Sequence, residues 1–155
     1  MKIKTIVAMI VVCFVAAAVA FTKIDPMMGT WKLNEAKSKI SPGTAKNSTV
    51  VYEAVGDQVN ITIDGTGADG KPIHNEWTGK FDGKDYPVTG DPNSDMRALK
   101  RVNDLTLRLT VKKDGKVTIT GRVVVSADGM SRTVTTSGTD ANGKKVSSKT
   151  WYDKQ

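Results

Sequence analysis

Apolar and polar side chains alternate along much of the chain. Val59, Ile61 and Ile63 interleave with Asn60, Thr62 and Asp64, and Leu105, Leu107, Leu109 and Val111 interleave with Thr106, Arg108, Thr110 and Lys112. Val117, Ile119, Val123 and Val125 share a face with Gly121. Successive side chains of a strand point to opposite sides, so each stretch reads as a strand with one buried and one wet face. The pattern predicts strands over 29–33, 48–55, 58–64, 72–81, 85–89, 96–102, 105–112, 117–126, 131–139 and 146–153. Only 34–40 reads as able to hold a helical turn.

Turn signals separate these strands. Asp-Gly occurs at 64–65, 69–70, 82–83, 114–115 and 128–129, and Asn-Gly at 142–143. Such pairs tolerate the positive φ angles of tight hairpins. The fold class is therefore all-β, an antiparallel up-and-down meander of eight to ten strands. A meander this long exposes two edges unless it closes, which favours a barrel. A two-sheet sandwich would need longer crossovers than most of the connections present.

The first residues follow another rule. Lys2 and Lys4 precede an uncharged apolar run over 5–20 that ends Ala18-Val19-Ala20. This is the form of a signal peptide over 1–20 with cleavage before Phe21, leaving one domain over 21–155; an uncleaved anchor is the alternative. Cleavage would remove Cys13, the single cysteine, and two lysines, taking the net charge from +7 to +5. An exported chain, periplasmic or secreted, would then hold together without disulfides.

Composition narrows the chemistry. His74, the single histidine, sits on a polar strand face without evident companions, and no Gly-x-Ser-x-Gly elbow is present. Asp91-Pro92-Asn93-Ser94-Asp95 lacks the ligand order and closing Glu of an EF-hand. No catalytic residues, metal ligands or cofactors are assigned, and an enzyme is not expected. Lysines at hairpin ends suit soluble edges, and no aromatic platform for single-stranded nucleic acid is visible, so no nucleic-acid partner is expected. With aromatics at 6%, the girdles of an outer-membrane barrel cannot be built. A monomer without an integral membrane domain after cleavage is the expectation.

Gly29-Thr30-Trp31-Lys32-Leu33, opening the first strand, resembles the G-x-W signature of the calycins, which include lipocalins and fatty-acid-binding proteins. The segment 78–90 also resembles small exported bacterial proteins of unassigned role. The resemblance implies a lipocalin-like barrel in which Gly29 and Trp31 form the structural signature. It also implies that a basic residue near the last strand, Lys149 or Lys154, lies across the Trp31 ring. Fatty-acid-binding proteins carry Arg-x-Tyr on the last strand. Here Thr150 precedes Tyr152, and no helical lid follows the first strand, so that carboxylate anchor is not implied.

Two functions from different classes follow. One is an exported binding protein that holds a small apolar or amphipathic ligand in the lumen. Its inward candidates are Trp77, Met96, Leu107, Ile119 and Tyr152. Arg101, Arg108 and Arg122 would anchor a carboxylate if they turned inward, although Arg108 and Arg122 lie on polar faces. The alternative is an envelope protein with a packed barrel, acting through its basic surface on a protein or an anionic polymer.

Overall fold

The computed structural model describes residues 24–140 and 142–155. The expected leader therefore lies outside the described residues. Ten antiparallel strands follow in order: β1 (Gly29–Ile40), β2 (Lys46–Val55), β3 (Gln58–Thr66), β4 (Pro72–Gly79), β5 (Tyr86–Thr89), β6 (Met96–Asn103), β7 (Thr106–Lys113), β8 (Lys116–Val125), β9 (Ser131–Thr139) and β10 (Lys145–Lys154). Each pairs with its sequence neighbours, and β1 pairs with β10 to close the barrel. No described helix is long and apolar enough to cross a membrane.

The alternating pattern makes this sheet curl with one face inside. Trp31, Tyr52, Ile61, Trp77, Leu99, Leu107, Val123, Val125 and Tyr152 form a single buried cluster. Burying a large apolar side chain contributes about 1.5–3 kcal/mol, so this interior stripe is the main stabilising feature. The turn residues act as the sequence predicts at five of six pairs. Gly70, Gly83, Gly115, Gly129 and Gly143 all adopt positive φ in loops. Asp64-Gly65 is the exception, because it continues β3 opposite β2 and β4.

β1 also differs from expectation. Residues 34–40 form no helical turn and extend the strand to 12 residues. Pairing with β10 runs from Asn34↔Trp151 to Lys39↔Lys149, so β1 carries extra residues there. Side chains take over the broken ladder. Asn34 Oδ1 accepts the Lys37 N–H, and Ser38 Oγ accepts the Trp151 N–H at 2.9 Å. Such a bulge bends the strand without leaving buried polar groups unmet.

The hairpins define two ends. The β2–β3, β4–β5, β6–β7 and β8–β9 loops lie at the near end, beside residue 29 and the carboxyl terminus. There residues 25–28 form a turn, with the Met28 N–H donating to the Asp25 carbonyl. This turn drives Met27 fully into the core. Asp25 also pairs with Arg101, which stacks over Phe81. The near end is thus plugged by the segment preceding β1. The remaining five hairpins make the far end.

Candidate functional site

The barrel interior changes character from end to end. Near the plug, Trp31 is completely buried, and its Nε1 donates to the Met27 carbonyl at 3.1 Å. Gly29 precedes it at φ +114°, and a Cβ there would lie 2.8 Å from Lys154 Cε. The missing side chain lets Lys154 lie across the Trp31 ring, 5.0 Å from its centroid. This is the physical content of the G-x-W sequence here.

A second cation completes the packing. Arg132 of β9 stacks against Trp31 at 4.7 Å, Tyr52 at 4.7 Å and Tyr152 at 5.0 Å. It is 2% exposed. Its Nε and Nη1 have no hydrogen-bond partner. Burial pushes its guanidinium below the ordinary arginine range, opposed by the Tyr52 and Tyr152 oxygens. The same burial raises Tyr152.

A third cation sits farther along the interior. Arg97 of β6 is buried and donates to Asn75 Oδ1 of β4 at 3.2 Å. Trp77 Nε1 donates to the Arg97 carbonyl at 2.9 Å, fixing the indole beneath this pair. Burial lowers Arg97 as well, with Tyr52 and Asp91 opposing through space. Among the described residues, neither Arg97 nor Arg132 forms an ion pair. A buried charge without a partner costs several kcal/mol, so two such groups inside one barrel demand a reason.

Toward the far end Ile63, Asn75, Arg97 and Val111 stay buried, while other inward side chains are only half buried. Leu33, Leu109, Ile119 and Val134 belong to this group, together with Thr136, Ser148 and Thr150. Thr136 and Ser148 share a hydrogen bond at 2.8 Å, and Thr150 donates to the Val134 carbonyl. The half-buried aliphatic and hydroxyl groups thus gather on β1 and β7 to β10, and the buried Arg97–Asn75 pair lies on the β4 and β6 side of the same interior. A barrel of about eight strands is just filled by side chains or holds one small ligand, and diameter grows with strand number. Ten strands widen that interior.

The sequence candidates distribute as follows. Trp77, Leu107 and Tyr152 are buried in the interior, and Ile119 is half buried there. Met96 instead lies on the outside, 38% exposed. Arg97 and Leu99 take the inward positions of β6, which turns Met96 outward. Lys149 is exposed on β10 and does not cross Trp31; Arg132 and Lys154 do. Arg108 and Arg122 face solvent, and Arg101 is occupied by Asp25. His74 is exposed and bonded to Asp64 at 2.7 Å, which together with Glu76 raises its pKa above the ordinary value. Among the described residues no cluster of metal-ligating side chains occurs.

Hydrophobic alternation points to apolar inward residues and so does not single out Arg97 or Arg132. For Arg97 a signal is present in its period-two spacing from Leu99; β9, polar on both faces, offers none for Arg132.

No protein-family model matches the chain, and no curated protein matches it. Among solved structures the chain is similar to one described as "Structure of a redesigned beta barrel, mFAP1, bound to DFHBI". The two share 18% identity with a TM-score of 0.45, over 81% of this chain and 94% of that one.

Proposed function

We propose that this barrel is an exported, non-catalytic binding protein that takes a small amphipathic anion into the far half of its lumen. The observation that carries the proposal is the buried guanidinium of Arg97, which forms no ion pair among the described residues and is held by Asn75 across the interior from half-buried aliphatic side chains. An entering carboxylate or sulfate would supply the missing counter-charge, through the bidentate geometry that guanidinium favours. Leu33, Leu109, Ile119 and Val134 would receive the apolar portion. Arg132, deeper and caged by three rings, adds positive potential behind the site. The non-catalytic part is supported by the interior's chemistry: its polar groups are guanidinium, carboxamide, phenol and hydroxyl. Export is supported by the leader-like residues 1–20.

Tryptophan fluorescence titrated with dodecanoate, dodecanol and dodecyltrimethylammonium tests this reading, with native mass spectrometry to count bound molecules. Saturable one-to-one binding of dodecanoate alone is expected. Arg97→Met, checked for its fold by circular dichroism, should weaken it at least about tenfold, since a hydrogen bond to a charged group contributes about 1.5–3 kcal/mol. Equal binding of the alcohol, or no binding of the acid, would overturn the proposal.

A further inference from the structure

The outer surface of the barrel carries a feature that the lumen does not explain. Cross-strand pairing places Lys100 of β6 opposite Arg108 of β7, and Arg108 opposite Arg122 of β8. The row continues through Thr135 of β9 and Lys149 of β10 to Lys39 of β1. All six side chains are exposed, and five are cationic. None of the five forms an ion pair among the described residues.

The row begins beside Asp82, which bridges to Lys100 and whose carboxylate accepts the Tyr86 hydroxyl, and the flanking rows contain no acid. On one side pairing joins Ala98, Thr110, Thr120, Ser137 and Ser147, and on the other Thr106, Val124, Thr133 and Trp151. Glu35, the nearest acid along β1, is taken up by Lys46. Elsewhere the barrel does neutralise its lysines, with Asp57 on Lys80, Asp69 on Lys71 and Asp85 on Lys112. Like charges directly opposite each other on neighbouring strands are destabilising. Leaving three of them side by side and two more beyond Thr135, with Asp82 only at the Lys100 edge, is the electrostatic footprint of an anionic partner.

Shape selects among anions. With strands about 4.8 Å apart, the row runs roughly 24 Å around six of the ten strands. It follows the convex wall around about half the circumference, so a planar bilayer or stiff duplex can meet only part of it. A groove of about 460 Å³ lies along the row, lined by Arg108, Arg122, Thr120, Thr135 and Ser137. Guanidinium forks flanked by hydroxyl donors suit tetrahedral oxyanions. We infer that this face binds a flexible linear polyanion bearing phosphate groups, which wraps across β6 to β1.

Isothermal titration with long-chain polyphosphate, repeated across a salt series, tests the inference. Counterion release gives a logarithmic slope of about −0.7 per phosphate neutralised on a flexible strand. Five contacts predict a slope near −3.5, and the double variant R108A/R122A should bring it to about −2.1 by the same rule. Lys71→Ala with Lys116→Ala removes equal charge away from the row and should leave the slope unchanged. Thermal melts establish that the variants, all at exposed positions, fold.

Equal weakening by both doubles would overturn the inference, because net charge alone would then be responsible. Absence of binding would overturn it as well. Tighter binding to anionic vesicles or duplex DNA would reject the flexible chain in favour of a planar or stiff partner. Tighter binding to a sulfated polysaccharide would reject the phosphate assignment. These outcomes are independent of whether dodecanoate enters the lumen.

Discussion

Replacing Arg132 by Met removes a buried charge while keeping an unbranched side chain in its slot. The guanidinium gains from three rings at 4.7, 4.7 and 5.0 Å, each contributing about 0.5–2 kcal/mol. Against this stand the loss of its hydration, several kcal/mol for a buried ion, and two unmet N–H groups at about 1–3 kcal/mol each. The costs match or exceed the gains. Methionine would fill the same space and retain sulfur–aromatic contacts of about 0.3–1.5 kcal/mol. Arg132→Met should therefore unfold in urea with a free energy between that of the parent and about 3 kcal/mol above it. Arg132→Ala, which leaves a void among the rings, should be the less stable variant of the two. If Arg132→Met lost more than about 2 kcal/mol, the aromatic cage would outweigh the burial cost. The arginine would then be a structural pin, and its unpaired charge would need no ligand to explain it.

Other consequences are local. Met27→Ala should cost about 2–5 kcal/mol in urea unfolding, because Met27 is fully buried; a loss under about 1 kcal/mol would mean that 25–28 is no plug. Gly65→Ala would drive a Cβ into the Lys46 carbonyl on the neighbouring strand, and should lower stability by about 1–3 kcal/mol by thermal melt. His74 should titrate above 6.5 by NMR, and Asp64→Asn should bring it back down. Its raised folded value means that its contribution to stability is full below the unfolded pKa and is lost as pH rises through the folded one. An unshifted His74 would contradict the Asp64 contact.

Much of the fold was legible because a half-buried strand must alternate. β7 shows this: Leu107, Leu109 and Val111 could share one face only as a strand. The hairpin glycines were legible because five of them supply the positive φ that their turns require. The outer half of β1 was not. Its bulge rests on the Asn34 and Ser38 side chains and shows no period of two. Asp64-Gly65 misled in the opposite direction, since a turn pair stands where a small residue lets two strands approach.

The site was half legible. Trp77, Leu107 and Tyr152 follow from hydrophobic alternation, whereas Arg97 breaks it, and apolar character alone points to Met96 as the inward residue of β6. β9 is polar on both faces, so nothing in its threonines revealed that Arg132 points inward. Polar residues held inside by aromatic rings or a single carboxamide depend on partners from distant strands, and local pattern does not carry that information.

The most direct test of the central claim is a crystal structure of the protein grown with dodecanoate. The account predicts the carboxylate within hydrogen-bond reach of the Arg97 guanidinium, with the alkyl chain along Leu109 and Ile119 inside the barrel. An interior closed by its own side chains, with the ligand absent or held on the outer wall, would contradict it.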